Sequence, residues 1–448
     1  MSGSIRLAVT GNPCAHSKSP QIFRKFLDYK GLDGFYSRIA ADTLDEAVET
    51  ALITGITGLN VTSPFKEKAA EISDTAEDAV VSLKAANTLK LVKKASGSPG
   101  LSAFNTDYLG VYESVKKASG IINGKTAFVL GAGGAGIAAA WGLSRAGFNV
   151  TVFNRTLEKA EERTGWIPNC RAEKLDNVNA LAGGADIIVN ALPLDKLIID
   201  ADRIKKGAVL FDANYRSSPL RLSAGTSAGD SSDRDISVIS GLKWLVNQAG
   251  FAFEIFTGSR LPENFSDLVG DDDLETEKIN NISLVGFMGS GKSTTGKYLA
   301  ELLSRGFIDI DSEIEKREKM SISEIFKKRG EACFREIERN MIRTVFEQEK
   351  GKVISCGGGA VADSVNRGII KKRSFPVWLA SPPEISAARI TDSSRPLLNN
   401  ERRMEEAVKL YNERIDYYGF TSQLIINTSE RGAQSAAGKI YEEISHMF

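Results

Sequence analysis

Two glycine-rich phosphate loops of different type constrain this chain more than any other feature. The first, GAGGAG, occupies residues 131–136, and the second, GFMGSGKS, occupies residues 286–293. Each loop follows a short apolar run typical of a buried strand and precedes a helix-forming stretch. A strand, a glycine turn and a helix in this order form a cradle for phosphate groups. The sequence therefore predicts two separate nucleotide-binding regions in one chain.

The composition agrees with a soluble multi-domain protein of α/β class. The 448 residues predict two to four compact units at about 150 residues per domain. β-like runs alternate with helical stretches through residues 5–120 and again through 125–240, which indicates parallel or mixed sheets. Lysine plus arginine (57) balance aspartate plus glutamate (57), so neither nucleic acid nor an anionic membrane is an expected partner.

The rare residue types exclude further classes of site. Four cysteines without a CxxC pair and only two histidines argue against a disulfide scaffold, a structural zinc site and a histidine-based triad. We expect no signal peptide and no membrane-spanning run, and hence a cytoplasmic protein. An oligomer is possible, but nothing in the sequence supports one.

The spacing of the first loop has a physical reason. Gly131 makes the tight turn, Gly133 lets the backbone approach a pyrophosphate, and Gly136 lets helix and strand pack closely. With Gly134 and Ala135, these residues form a helix N-terminus whose N–H groups and positive dipole end face a diphosphate. The pattern predicts a Rossmann-like dinucleotide site.

The end of the next strand indicates which dinucleotide binds. A domain that binds NAD commonly has an acid there to hold the ribose 2′-hydroxyl. This chain has Asn154, Arg155 and Thr156 instead. Arg155 would attract a 2′-phosphate, so we predict NADP(H) as the cofactor, with a merely solvated arginine as the alternative.

Polar side chains follow several of the strands before the first loop. Ser19 precedes Pro20, and we expect it to cap a helix. The other members are Ser17, Asn60, Thr62, Lys66, Asn87 and Asp107. Because ligands of α/β sheets bind at the carboxyl ends of strands, these groups could converge on one polyhydroxylated acid.

Seven segments carry a resemblance to a known family over about residues 5–262. In family order they are GNPCAHSKSP, NVTSPFKEKA, AANTL, NTD, GAGGAG, NRT and GLKWLVNQA, and together they resemble shikimate dehydrogenase. The resemblance implies a two-lobed fold and NADPH-dependent reduction of the C3 carbonyl of 3-dehydroshikimate. It implies that the substrate is held by Ser17, Ser19, Thr62, Asn87, Tyr215 and Gln248. Lys66 and Asp107 would be the catalytic pair.

The chemistry of that pair suits a carbonyl reduction. Hydride that arrives at a carbonyl carbon creates an alkoxide, which needs a proton. The ammonium group of Lys66 can stabilise the charge and donate the proton, and the carboxylate of Asp107 can orient it. An ordinary surface lysine, flanked by Glu67 and Lys68, is the alternative.

The second loop fits GxxxxGK[ST], the P-loop pattern. Its backbone N–H groups would wrap the phosphates of a nucleotide, Lys292 would reach the β and γ oxygens, and Ser293 would ligate Mg²⁺. The residues predicted to bind the nucleotide here are Gly289, Ser290, Gly291, Lys292, Ser293 and Thr294.

Acids and arginines follow the second loop. Asp309 and Asp311 are two apart at the end of the run FIDID, so we expect both side chains on one face of a strand end. One acid can serve Mg²⁺ through water, and the other can accept a proton from a hydroxyl nucleophile. Arg335 and Glu338 should share one face of a helix.

A second resemblance covers about residues 280–446. The patterns GxxxxGKS, DxDxxIE, ExxFRxxE, GGGA, RPL and ERxxYY, in that order, resemble shikimate kinase. The resemblance implies an NMP-kinase-like parallel α/β fold and ATP-dependent phosphorylation of shikimate. Asp309 would assist Mg²⁺, and Asp311 would activate the shikimate hydroxyl. The other implied site residues are Arg335, Gly358 and Arg414 for shikimate and Arg395 for the phosphates.

The two resemblances meet on one metabolite, so we predict a fused bifunctional enzyme. The expected order is a substrate lobe at 1–105, completed by 241–262, then an NADP lobe at 106–240. A linker at 263–279 would lead to the kinase at 280–448, although 273–279 could also form a short surface helix.

Two alternatives remain open for the dehydrogenase half. Lys84, Phe104 and Tyr108 depart from glycines that are common in the family. A degenerate half that serves the kinase as a scaffold, or a half that prefers quinate, would account for such departures.

Overall fold

The chain is described here from a computed structural model. The described residues are 4–94, 96–119, 124–192, 198–213, 236–270, 272–274, 280–390, 403–445 and 447. Strands and helices alternate along them, which confirms the α/β class. In this part of the chain no helix is both long enough and apolar enough to cross a membrane.

The strands are β1 (Ile5–Gly11), β2 (Gly34–Ala40), β3 (Gly58–Val61), β4 (Thr75–Ala76), β5 (Thr88–Lys93), β6 (Pro99–Phe104), β7 (Thr126–Leu130), β8 (Asn149–Asn154), β9 (Cys170–Lys174), β10 (Ile187–Asn190), β11 (Val209–Asp212), β12 (Ser237–Ile239), β13 (Asn281–Val285), β14 (Gly306–Asp309), β15 (Lys352–Ser355), β16 (Ser374–Ala380) and β17 (Leu424–Asn427).

The α-helices are α1 (Ser19–Lys30), α2 (Leu44–Ile53), α3 (Lys66–Glu71), α4 (Asp78–Leu83), α5 (Asp107–Ser119), α6 (Gly134–Arg145), α7 (Leu157–Thr164), α8 (Val178–Leu181), α9 (Gly241–Thr257), α10 (Lys292–Leu302), α11 (Ile310–Glu318), α12 (Ile322–Gln348), α13 (Ser364–Arg373), α14 (Pro383–Ala388), α15 (Arg403–Thr421) and α16 (Ala433–Ile444). A break at Gly330, where φ is 80°, divides α12 into two helical pieces.

The chain divides into two compact units that do not follow chain order. The first contains residues 1–69, 89–101 and 271–448, and the second contains residues 70–88 and 102–270. The N-terminal strands are thus grouped with the region of the second loop. The boundaries drawn from the sequence remain a prediction.

A single sheet runs through the first unit. The strands that lie wholly or almost wholly in this unit have the order β14-β15-β13-β16-β17-β2-β1-β3-β5. The pairs from β14 to β3 are parallel, and β17 joins β2 in the register Ile425↔Ile39 and Ile426↔Ala40. Every residue of β13, β16 and β17 is buried, as is typical of parallel strands covered by helices on both faces.

The second unit has the topology of a dinucleotide-binding domain. Its parallel sheet has the order β12-β11-β10-β7-β8-β9. Counted from β7, this is the order 3-2-1-4-5-6, and it reverses between β7 and β10. A crevice at such a reversal, outside the carboxyl ends of the strands, is where ligands bind. The Rossmann-like prediction is confirmed.

The segment that we predicted to be a linker contains packed residues. Residues 265–268 form a 3-10 turn, and Phe265 is buried against α9 in the second unit, where a Cβ on Gly250 would lie 2.2 Å from its ring. In the first unit Leu274 is 1% exposed, and Lys25 forms an ion pair with Asp273 at 2.7 Å. The segment is therefore anchored on both of its described sides.

Candidate active sites

The first phosphate loop joins the end of β7 to the start of α6. Gly131 has a φ of 103°, a left-handed value that favours glycine. A Cβ on Gly136 would lie only 1.9 Å from the carbonyl oxygen of Gly131, so this close packing requires glycine. Gly133, Gly134 and Ala135 are exposed at the helix N-terminus. This arrangement fits a dinucleotide diphosphate, which exposed N–H groups at a helix N-terminus can bind.

The end of β8 is tied to this loop. Asn154 Oδ1 accepts the Ala132 N–H at 3.3 Å, and its amide donates to the Thr156 carbonyl at 2.9 Å. Arg155 is exposed, as a group that contacts a 2′-phosphate must be. The sequence did not single out Arg163, which donates to the Ala132 carbonyl at 2.9 Å and braces the loop from α7.

A buried polar cluster surrounds Asp107 in the second unit. Asn87 Nδ2 donates to Asp107 Oδ1 at 2.9 Å and to Thr106 Oγ1 at 3.0 Å, and Asn87 Oδ1 accepts the Thr106 N–H at 2.8 Å. Trp244 Nε1 donates to the backbone carbonyl of Asp107 at 2.8 Å. Asn87 and Asp107 are each 5% exposed. The carboxylate of Asp107 therefore has a fixed orientation, and Trp244 is a support that the sequence reasoning missed.

Gln248 lies on α9, a helix of 17 residues. This helix packs on α5 at Gly110, where an added Cβ would lie 2.7 Å from Trp244 and 3.1 Å from Gln248. The glycine therefore allows α9 to lie close to the helix that begins at Asp107. Two other predicted site residues, Tyr215 and Arg395, lie outside the described residues.

Ser17 and Ser19 lie together after β1 in the first unit. Their hydroxyl oxygens are 3.2 Å apart. The expectation that Ser19 caps α1 is wrong, because Ser19 is the first helical residue and Lys18 stands at the cap. Ser17 Oγ instead accepts the Ser19 N–H at 3.3 Å. In the same unit, Asn60 Oδ1 accepts a hydrogen bond from the Tyr36 hydroxyl at 2.8 Å, and burial raises the pKa of that phenol.

Thr62 and Lys66 follow the end of β3. Thr62 approaches Gly11 so closely that a Cβ there would lie 2.3 Å from the threonine methyl. Lys66 begins α3 and is half-buried. Lys66 belongs to the first unit and Asp107 to the second.

The second phosphate loop joins β13 to α10. Gly286, Gly289 and Gly291 have φ values of 148°, 81° and 89°, which favour glycine. Lys292 is 8% exposed, and its ammonium donates to the carbonyls of Gly286 at 3.0 Å and Phe287 at 2.9 Å. The ammonium thus lies across the loop, where it can meet phosphate oxygens.

Two further groups of this loop fit a nucleotide. The buried hydroxyl of Ser290 has no hydrogen-bond partner among the described residues, as expected of a group that donates to a bound ligand. Thr294 is exposed on the first turn of α10.

Ser293 and Asp309, the predicted metal residues, are in contact. Ser293 Oγ donates to Asp309 Oδ2 at 2.6 Å, and Asp309 Oδ1 accepts the Ser312 N–H at 3.1 Å. Oxygen donors of this kind suit Mg²⁺, which commonly takes one or two carboxylates together with nucleotide phosphates and waters. The described residues include no cluster of three histidine, cysteine, aspartate or glutamate side chains that could hold a metal.

Asp311 does not extend the strand, contrary to the alternation that we predicted. β14 ends at Asp309, and Asp311 lies in the first turn of α11. It nonetheless faces the glycine turn after β15. A Cβ on Gly357 would lie 2.7 Å from Asp311 Oδ1 and also 2.7 Å from Glu338 Oε1. Because Gly357 has no side chain, the carboxylates of Asp311 and Glu338 can both lie beside its backbone.

Arg335 is held by carboxylates of its own helix. Its Nη1 donates to Glu338 Oε2 at 2.8 Å, which confirms the predicted shared face, and its Nη2 donates to Glu331 Oε1 at 3.0 Å. Burial alone would lower the pKa of Arg335, but Glu338 and Glu331 raise it, so it remains a cation. Glu338 is 1% exposed, and burial raises its pKa. The sequence reasoning did not assign Glu338 a role in the site.

Arg414 and Tyr418 both reach the carbonyl of Gly358 from α15. The Arg414 guanidinium is 3.5 Å and the Tyr418 hydroxyl 2.6 Å from that oxygen. Burial raises the pKa of Tyr418 to about 12, so the phenol stays a donor. Arg335, which a Cβ on Gly359 would meet at 2.6 Å, and Arg414 therefore both lie beside the glycine turn that contains Gly358, where two cations can hold a carboxylate.

Family models match three stretches of the chain. The shikimate dehydrogenase substrate binding domain matches residues 9–89, and shikimate / quinate 5-dehydrogenase matches residues 113–213. Shikimate kinase matches residues 288–445.

Similar proteins divide along the same line. A shikimate dehydrogenase (NADP⁺) from Archaeoglobus fulgidus is 34% identical over 57% of this chain and 93% of its own length. A shikimate kinase from Sulfurihydrogenibium sp. is 42% identical over 37% of this chain and 96% of its own length. The crystal structure of shikimate 5-dehydrogenase from Thermus thermophilus with NADP(H) and shikimate is 28% identical, with a TM-score of 0.51, and covers 59% of this chain and 98% of that one.

Proposed function

The chain belongs to the shikimate dehydrogenase family in its first part and to the shikimate kinase family in its last part, which makes it a bifunctional enzyme of the shikimate pathway, and we propose that it performs two successive steps on one metabolite. The first step is NADPH-dependent reduction of 3-dehydroshikimate. The second is phosphorylation of shikimate with MgATP. The observation that carries this proposal is the presence of two unlike phosphate loops, each with its own acid–base groups, in a single chain.

In the reduction, Lys66 and Asp107 perform the proton chemistry. NADPH, when bound at the α6 N-terminus, supplies the hydride. Lys66 stabilises the developing alkoxide and donates a proton to its oxygen. Asp107, fixed by Asn87, orients the lysine or the substrate hydroxyl. Ser17, Ser19, Asn60, Thr62, Asn87, Tyr215 and Gln248 are proposed to hold the carboxylate and hydroxyls of the substrate.

In the phosphorylation, Ser293 and Asp309 would hold Mg²⁺, and Lys292 would meet the transferred phosphate. Asp311 accepts the proton of the attacking 3-hydroxyl, the same hydroxyl that the first reaction creates. Arg335 and Arg414 clamp the shikimate carboxylate beside Gly358. The assignment rests on the contacts around the glycine turn after β15.

A coupled assay tests the proposal. Purified protein given 3-dehydroshikimate, NADPH and MgATP should oxidise NADPH and then consume ATP. Lys66→Ala should abolish reduction and spare the phosphorylation of added shikimate, because the lysine acts only at the alkoxide. Lys68→Ala, on an exposed neighbour in the same helix, is the matched control and should keep both activities. Lys292→Ala should abolish the phosphorylation of shikimate and spare the reduction of 3-dehydroshikimate.

The assay also addresses the alternatives. A degenerate first half would oxidise no NADPH with 3-dehydroshikimate, and a quinate-preferring half would turn over quinate faster than shikimate in the reverse direction. The names of the similar proteins reported above, shikimate dehydrogenase (NADP⁺) and shikimate kinase, favour neither alternative.

The setting of the enzyme is also a proposal. Zero net charge supports small-molecule substrates rather than nucleic acid as partners. The four cysteines are not joined in disulfides, and this supports a reducing, cytoplasmic location.

A further inference from the structure

The loop between β1 and α1 is held by a residue of the last helix, more than 400 positions away. Both backbone N–H groups of Cys14 and Ala15 donate to Glu443 Oε2, at 2.8 and 2.9 Å. Glu443 lies on α16, its side chain is 0% exposed, and Cys14 and Ala15 are also buried. A carboxylate that accepts two N–H groups makes charge-assisted bonds, which are stronger than neutral ones.

Lys439 stands one turn earlier on α16 and holds the same loop. Its ammonium donates to Asn12 Oδ1 at 3.1 Å, forms an ion pair with Asp42 at 2.8 Å and lies 4.0 Å from Glu443 Oε1. The Lys439 side chain is only 1% exposed. The helix therefore presents a buried cation and a buried acid to one loop. Burial raises the pKa of Glu443, although the N–H groups of Cys14 and Ala15 and the ammonium of Lys439 oppose that shift, and Glu443 Oε1 has no hydrogen-bond partner among the described residues.

The far end of the loop is fixed by Arg38 of β2. Its Nε donates to the Ser17 carbonyl at 3.2 Å, and its Nη1 donates to the carbonyl of Gln423, just before β17, at 3.2 Å. Arg38 is 3% exposed. The backbone from Asn12 to Ser17 is thus held at both ends. Lys439 of α16 holds Asn12, and Arg38, which also donates to the carbonyl of Gln423, holds Ser17.

We propose that Glu443, in the kinase part of the chain, is a positioning residue for the dehydrogenase reaction. It holds the loop so that the hydroxyls of Ser17 and Ser19 face 3-dehydroshikimate, and Lys439 assists it. This inference rests on the proposed substrate role of those two serines.

The physical consequence of removing the carboxylate is local. Two buried N–H groups would lose their acceptor, and such groups are costly to leave without one. The loop would shift to find other partners, and Ser17 and Ser19 would shift with it. The hydrogen bonds that Glu443 accepts come from Cys14 and Ala15, whereas the ammonium of Lys292 is held by the carbonyls of Gly286 and Phe287, so the kinase reaction should be spared.

The test is steady-state kinetics of the full-length protein with Glu443→Ala, Glu443→Gln and Glu442→Ala. Glu443→Ala should raise KM for 3-dehydroshikimate at least about tenfold, since two buried N–H groups that lose their shared acceptor correspond to such a factor. KM for NADPH and both kinase constants should stay within about twofold. Glu443→Gln, whose amide oxygen can still accept, should lie between wild type and Glu443→Ala. Glu442 is 68% exposed, so Glu442→Ala should match wild type.

The outcomes separate the alternatives. A folded Glu443→Ala protein with wild-type KM for 3-dehydroshikimate would overturn the inference. An equal loss of both activities at unchanged KM would also overturn it, because that result shows only a reduced folded fraction. If Glu443→Ala does not fold, the shape-conserving Glu443→Gln decides: a raised KM for 3-dehydroshikimate with unchanged kinase constants supports the inference, and a wild-type KM overturns it. Failure of the proposed function itself would appear differently, as wild-type protein that does not reduce 3-dehydroshikimate.

Discussion

At the scale of single residues, the site around the second loop depends on a buried ion pair. Arg335 has two carboxylate partners on its own helix: Glu338, 2% exposed in its side chain, and Glu331, 51% exposed. A buried charge that loses its partner is costly, whereas an exposed pair contributes little. Loss of the Glu338 carboxylate should therefore disturb the orientation of Arg335 much more than loss of the Glu331 carboxylate.

We predict that Glu338→Gln raises the kinase KM for shikimate about tenfold and that Glu331→Gln changes it by less than about twofold. The reason is that the guanidinium keeps its orientation toward shikimate only while the buried carboxylate holds it. Initial rates with varied shikimate at saturating MgATP measure the effect. Equal KM values in the two variants would contradict the account of Arg335.

At the scale of elements, packing between α5 and α9 depends on Gly110. A Cβ there would meet Trp244 at 2.7 Å, a contact closer than side chains tolerate. Gly368 on α13 has no atom within 4 Å of the same position. The same substitution should therefore have opposite effects in the two helices.

We predict that Gly110→Ala destabilises the second unit by about 1–3 kcal/mol through overpacking. It should also lower kcat/KM for reduction, because α9 carries Gln248. Gly368→Ala should stabilise its helix by about 0.5–1 kcal/mol through helix propensity. Urea unfolding followed by tryptophan fluorescence suits the first variant, since Trp141, Trp166 and Trp244 all lie in the second unit. A Gly110→Ala protein as stable as wild type would refute the packing argument.

The elements also show how far the sequence could predict this molecule. Both phosphate loops, the parallel sheets and helix α9 were predictable, because apolar period and glycine spacing are local signals. Lys84, a departure from the family's glycine, has a φ of 51°, so the backbone there keeps the left-handed conformation despite the side chain. The error at Asp311 arose because a strand can end and a helix begin within one residue, which periodicity does not resolve.

At the scale of the whole molecule, the pairing of β2 with β17 was not predictable. The partners Ile39 and Ile425 are far apart in sequence, and no local pattern specifies which buried strand edges meet. The same holds for Glu443. In the sequence it is one of several acids on a helix, and only the fold places its carboxylate beside the N–H of Cys14. Residues that act through distant backbone groups leave no signal at their own position.

The shared sheet has a thermodynamic consequence that spans the first unit. Side chains reinforce the join: Arg6 pairs with Asp416 at 2.7 Å, and the Tyr411 hydroxyl donates to the Ile53 carbonyl at 3.1 Å. If the unit unfolds cooperatively, a ligand of the second loop must stabilise β1 and β2 as well. A ligand that binds only the folded state adds about 2.7 kcal/mol at a hundredfold excess over its Kd.

We therefore predict that saturating MgATP slows amide hydrogen exchange in β1 and β2 as well as in β13, by up to about 100-fold for amides that exchange only through unfolding of the whole unit. Exchange followed by mass spectrometry on the full-length protein measures this effect peptide by peptide. NADPH is the matched control ligand, and it should slow exchange in β7 and β8. Slower exchange in β13 and β17 without slower exchange in β2 would contradict this prediction. It would mean that the continuous sheet does not unfold as one unit, because MgATP would then stabilise only the strands on one side of the Ile425–Ile39 pair.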